Sequence, residues 1–149
     1  MAVIGPGNAT DHEVAIAEEV GRGLGQRSAV VVCGGLGGVM AAACRGASDA
    51  GALTVGILPG ADRTVANEWV TVAIATGMGE LRNGLIIRAA DAVIAVGGAY
   101  GTLSEIALAL RTGVPVFGLE TWDIEGVHRV GSPAEAVERA LGPGNRVGS

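Results

Sequence analysis

The stretch Ala29-Val30-Val31-Val32-Cys33-Gly34-Gly35-Leu36-Gly37-Gly38-Val39-Met40 decides the fold. Its unbroken apolar, largely β-branched run reads as a strand buried on both faces. The glycines that follow allow a turn too tight for most side chains, and Val39 to Ala50 reads as a helix closed by Gly51. A strand that passes through glycine directly into a helix is the first half of a βαβ unit.

Working outward, the same pattern recurs. Upstream, Ala2-Val3-Ile4-Gly5 is a short strand ended by Gly5-Pro6-Gly7-Asn8. Thr10 or Asp11 then caps a helix to about Leu24, stopped by Gly25. Downstream, Thr54-Val55-Gly56-Ile57-Leu58 is a strand halted by Pro59-Gly60, and Trp69 through Ala75 is read as another. Gly79 to Ala89 is read as one helix, Asp91 to Val96 as a strand, and Thr102 to about Arg111 as a helix after Gly97-Gly98-Ala99-Tyr100-Gly101. Val114 to Leu119 and Val127 to Val130 are read as strands, and Pro133 to Leu141, capped by Ser132, as the last helix. Alternation of this kind predicts right-handed crossovers and a single Rossmann-like, doubly wound α/β domain, with a mostly parallel sheet of about six or seven strands. Residues 1–141 are assigned to this domain and 142–149 to a flexible tail.

Composition narrows the function. The 149 residues are 49% hydrophobic with only 3% aromatic, so Val, Ile, Leu and Ala must fill the core. A formal net charge of −5 disfavours nucleic acid and anionic membrane as partners, and any anion site must be local. Every basic residue is arginine, so a lysine Schiff base with pyridoxal phosphate and a Walker-A loop are both excluded. Cys33 and Cys44 lack zinc spacing and read as small buried thiols, and His12 and His128 have no ligand cluster, so no metal is expected. With no apolar stretch long enough to span a bilayer, the chain is expected to be cytoplasmic.

Ligands of open α/β sheets bind beyond the carboxyl ends of the strands. Glycine clusters at 5–7, 34–38 and 97–101 all fall at such ends, where backbone N–H groups and helix N-termini attract anions. The candidate phosphate-binding residues are therefore Gly7, Asn8, Gly35, Gly37, Gly38, Met40, Gly97, Gly98, Ala99, Tyr100, Gly101 and Thr102. A dinucleotide requires an acidic residue ending the strand after the glycine turn, and the strands ending at Cys33 and Leu58 offer none. Arg82 and Asn83 are the complementary pair, able to hold phosphate and ribose or base. Glu105 reads either as a capping-box carboxylate returning to Thr102 or as a carboxylate beside a ligand's sugar. Tyr100 stacks on a ligand ring or packs over its own turn, whereas Trp69 and Trp122 read as core or interface anchors.

At these residues the chain resembles the superfamily of LONELY GUY nucleotide phosphoribohydrolases, also called SLOG, many of whose members were labelled "possible lysine decarboxylase". The resemblance rests on Gly34 to Met40, Thr54 to Gly60, Arg82-Asn83 and Gly101-Thr102-Leu103-Ser104-Glu105, and spans residues 2 to about 120. Residues 76–83 and 101–110 resemble the molybdenum-cofactor-carrier-like subgroup. In the phosphoribohydrolase signature, Gly97 replaces a proline, Ala99 a glycine and Asn83 a lysine, while Arg82, Thr102 and Glu105 match.

The resemblance implies two functions. The first is binding of a nucleotide-type ligand with hydrolysis of the N-glycosidic bond of a nucleoside 5′-monophosphate, Glu105 and Arg82 being catalytic and no cofactor being required. The alternative is a non-catalytic carrier of molybdenum cofactor or a related phosphorylated pterin. Either ligand is a phosphorylated small molecule. A homo-oligomer, dimer or tetramer, is implied by the same likeness. Lysine decarboxylation is excluded by the missing lysine.

Overall fold

The computed structural model describes residues 1–143. Its strands are β1 (Ala2–Ile4), β2 (Val31–Cys33), β3 (Thr54–Leu58), β4 (Val72–Ala75), β5 (Val93–Val96), β6 (Val116–Leu119) and β7 (Val127–Arg129). The α-helices are α1 (Asp11–Gln26), α2 (Val39–Asp49), α3 (Asn83–Arg88), α4 (Tyr100–Thr112) and α5 (Pro133–Ala140), with 3₁₀ turns at Arg63–Val65 and Gly79–Arg82. The sheet order is β4-β3-β2-β1-β5-β6-β7, and every pairing is parallel rather than most of them. The chain winds outward from β1 to β4, then crosses to β5 on the other side of β1. The order of winding therefore reverses between β1 and β5, and the crevice of a doubly wound fold opens there.

The strands alternate their side chains between two cores. Val3, Val31, Ile94, Val96 and Phe117 pack with α1, α2 and α5, while Ile4, Val32, Val93, Ala95 and Val116 pack with Ile86 and Ile87 of α3 and Ile106 and Ala109 of α4. Such double burial explains the unbroken apolar strands. Thr10 caps α1, its hydroxyl accepting from the Glu13 N–H at 3.2 Å while the Glu13 carboxylate accepts from the Thr10 N–H at 3.0 Å.

Three sequence expectations change. Gly25 does not stop α1, which runs to Gln26. A Cβ there would sit 2.8 Å from that of Ala50, so this glycine serves helix contact rather than termination. Gly21 and Gly46 do the same between α1 and α2, where a Cβ would strike the Ala43 and Glu18 carbonyls. The single helix expected over 79–89 is a 3₁₀ turn followed by α3, and Gly77 and Gly79, at φ of +63° and +60°, form the bend that leads into it. The strand read from Trp69 starts only at Val72, since the Trp69 N–H donates to Asn67 Oδ1 and the Val70 N–H to the Asn67 carbonyl, both at 3.1 Å, which makes 67–70 a turn. At the C-terminus, the Gly142 N–H donates to the Arg139 carbonyl at 3.2 Å, and the rest of the expected tail, residues 144–149, lies outside the described residues. No described helix is long and apolar enough to cross a membrane.

Candidate functional site

At the reversal point between β1 and β5, a cleft of about 260 Å³ is lined by Gly7, Gly34, Met40, Arg82, Asn83, Ala99, Gly101, Thr102 and Glu105, among others. A larger hollow of about 580 Å³ lies at the opposite edge, around Met1, Ser28, Ala89 and Leu141, where no helix N-terminus points inward. Chemistry therefore favours the smaller one.

One wall of the cleft is the start of α4. The helix begins at Tyr100, with Ala99 as an extended N-cap lacking a side-chain bond. The N–H groups of Gly98, Ala99, Tyr100, Gly101 and Thr102 donate to no carbonyl or side chain among the described residues. Beside them, Thr102 is only 2% exposed and its Oγ1 has no partner. A buried hydroxyl without a partner costs on the order of 1–3 kcal/mol. The capping-box reading of Glu105 fails here, because Thr102 is the third helical residue rather than the cap. Free amides, an unpartnered hydroxyl and the positive end of a helix are features able to hold an anion.

The facing wall carries the charge. Arg82 is 9% exposed, so it is not the solvated arginine an isolated helix position would allow. Its Nη1 donates to Asn83 Oδ1, its Nη2 donates to the Gly34 carbonyl at 3.4 Å, and its buried Nε has no partner. Asn83 Nδ2 donates to Ser104 Oγ at 3.4 Å, and that hydroxyl donates to the Gly101 carbonyl at 2.8 Å. Arg82 is thus tied through two side chains to the turn whose amides are free.

Glu105, 7% exposed, lines the same cleft and its carboxylate accepts no hydrogen bond among the described residues. Burial pushes its pKa up to about 7, against the opposing pull of Arg82. Burial also lowers the Arg82 pKa, opposed by the Glu105 charge. The result is a carboxyl poised near neutrality beside a fixed cation.

The candidate residues divide by location. Gly7, Met40, Arg82, Asn83, Ala99, Gly101, Thr102 and Glu105 line the cleft, whereas Asn8, Gly35, Gly37, Gly38, Gly97, Gly98 and Tyr100 do not. The Gly98 and Tyr100 N–H groups, next to cleft residues Ala99 and Gly101, still lack an acceptor among the described residues. Gly38 instead admits the first turn, since a Cβ would lie 2.5 Å from the Gly7 carbonyl oxygen, and Gly97 makes room for Glu13. Trp122 is the residue missed. Its Nε1 donates to the Ala99 carbonyl at 3.1 Å, and its ring lies 6.2 Å from that of Tyr100, which is 84% exposed. By occupying the N-cap carbonyl from outside, Trp122 fixes the turn in the conformation that leaves the amides free.

The SLOG cluster4 family model matches residues 1–144. This chain belongs to that family. An uncharacterized protein of Archaeoglobus fulgidus is 43% identical over 142 residues, covering 95% of this chain and 93% of the relative. Among solved structures, the molybdenum cofactor binding protein from the phototrophic bacterium Rippkaea orientalis is similar with a TM-score of 0.88 and 36% identity, over 93% of this chain and 92% of that one. The molybdenum cofactor carrier protein of Chlamydomonas reinhardtii is similar with a TM-score of 0.86 and 31% identity, over 93% of each chain. The carrier-like subgroup read from residues 76–83 and 101–110 agrees with these two structural neighbours.

Proposed function

We propose that this SLOG cluster4 chain is a carrier that binds molybdenum cofactor or a related phosphorylated pterin by its phosphate. The observation that carries the reading is the row of free N–H groups from Gly98 to Thr102, with the unpartnered Thr102 hydroxyl among them. A phosphate monoester has the acceptor oxygens these donors lack, and Arg82 supplies the compensating charge. The similarity to molybdenum cofactor binding and carrier proteins supports the pterin as cargo. The test is mass spectrometry of ligand retained through gentle anaerobic purification, followed by loading with molybdenum cofactor. Retention and slowed oxidation of the cargo are expected. Release of free cofactor at the rate seen in buffer would overturn the reading.

A second reading, hydrolysis of a nucleoside 5′-monophosphate, keeps one specific support, the unpartnered Glu105 carboxyl poised near neutrality. It would stabilise a cationic sugar or orient the attacking water as the base departs. Incubation with AMP decides it. Adenine release that Glu105→Gln abolishes supports hydrolysis, and no release leaves the carrier alone.

A further inference from the structure

Directly beneath the cleft lie two thiols for which neither function above has a use. Cys33 ends β2 and Cys44 lies on α2. Both are free and have no exposed surface, and their sulfurs are 3.4 Å apart. Cys33 Sγ also accepts from the Gly35 N–H at 3.3 Å, inside the second glycine turn. The next residue, Gly34, is wedged between the two cleft residues Arg82 and Met40, since a Cβ there would lie 2.6 Å from both Arg82 Nη2 and Met40 Sδ. Movement of Cys33 therefore passes to Gly34, whose carbonyl holds Arg82.

We propose that Cys33 and Cys44 form a reversible disulfide on exposure to peroxide, and that closing it displaces Gly34 and weakens anion binding in the cleft. The coupling half rests on the phosphate-binding reading above, while the disulfide itself does not. A disulfide needs an S–S distance of about 2.05 Å, so the sulfurs must approach by roughly 1.3 Å from 3.4 Å. Close packing leaves no slack for this without moving β2's end or the first turns of α2. The pair has a preferred nucleophile. The hydrogen bond between them lowers the Cys44 pKa against the effect of burial, and that same pairing together with burial raises the Cys33 pKa, so Cys44 is the readier of the two to ionise. When local opening admits peroxide to the buried pair, Cys44 sulfur attacks one peroxide oxygen, the O–O bond breaks, and water departs to leave a sulfenic acid on Cys44. Cys33 sulfur then displaces that oxygen as a second water and the S–S bond forms. Two thiols lose two electrons and two protons, and the peroxide is reduced to two waters.

The experiment treats the full-length protein with hydrogen peroxide and reads its mass, its thiols under denaturing conditions and amide exchange over residues 34–40, with inorganic phosphate as the binding probe. Expected are a loss of about 2 Da with both thiols gone, reversal by dithiothreitol, and faster exchange over 34–40. Phosphate should bind about tenfold more weakly when oxidised, as expected for losing one charge-assisted contact. Cys44→Ser should abolish the mass loss and the change in exchange. Thiols left unreacted, oxygen addition without the mass loss, or a metal ion retained between the sulfurs would each overturn the disulfide. A disulfide with unchanged exchange and unchanged phosphate affinity would overturn the coupling. If phosphate binds neither form, the phosphate reading itself fails, and the mass and exchange data still judge the disulfide.

Discussion

The turn from Gly34 to Gly38 and the turn from Gly97 to Gly101 look alike in sequence but differ at their last glycine. In the first, glycine admits other protein. Gly38 takes φ +61° and ψ −129°, and its missing side chain is where the Gly7 carbonyl passes. In the second, Gly101 has nothing within 4 Å of where a Cβ would stand, and the amides around it find no protein acceptor. One turn is closed by packing at Gly38 and the other is open at Gly101, although the Leu36, Gly37 and Gly38 N–H groups also meet no acceptor among the described residues. A cluster of glycines therefore announces close approach without saying whether protein or ligand approaches.

The largest expected effect comes from filling the closed turn. Gly38→Ala combines overpacking against the Pro6 and Gly7 carbonyls with a backbone region that is essentially glycine-only, and should cost about 3 kcal/mol or more in a denaturant melt. A cost below about 1 kcal/mol would erase the distinction between the turns.

Next is the charge behind the open turn. Burial gives Glu105 a folded pKa of about 7, above its ordinary value of 4.5, so the folded state holds this proton more tightly than the unfolded one. Its contribution to stability is full below about pH 4.5, falls as pH rises to about 7, and is flat above. The total is of order 3 kcal/mol by linkage. Glu105→Gln should flatten that window, which chemical denaturation at stepped pH would read directly.

Thr102→Val sharpens the comparison on the ligand side. Removing an unpartnered hydroxyl should leave stability unchanged or slightly higher, while the affinity for a phosphate-bearing ligand falls by about tenfold. If stability dropped and binding did not, the hydroxyl would be serving the protein. The smallest stability effect belongs to Gly101→Ala, which meets open space and should raise stability by about 0.5–1 kcal/mol, since alanine is the better helix residue. In titration calorimetry the same change should weaken phosphate binding, because the new methyl group stands beside the open amides.

Much of this was legible beforehand for a physical reason. Runs such as Val31 to Cys33 and Val93 to Val96 are buried on both faces, so their composition alone marks them as strands. The site residues Arg82, Asn83, Thr102 and Glu105 were also readable, because each sits one or two turns from a glycine cluster. What escaped depended on neighbours distant in sequence. Gly25 resembles a helix stop until Ala50 is seen against it, and nothing local to Trp122 says that its indole will hold the Ala99 carbonyl. The burial that raises the Glu105 pKa likewise arises only when α3 and α4 close over β1 and β5.

The two sides of the cleft differ in stiffness. On the β2 side, α1 and α2 meet backbone to backbone at Gly21 and Gly46 and cannot separate without losing the whole contact. On the other side, the Arg82 wall is a 3₁₀ turn leading into a helix of 6 residues with no side-chain cap. Such a wall is the cheaper one to loosen. Any opening of the cleft is therefore expected to come from residues 76–82, which carry the guanidinium like a door, while Ile86 and Ile87 hold α3 in the core as its hinge post.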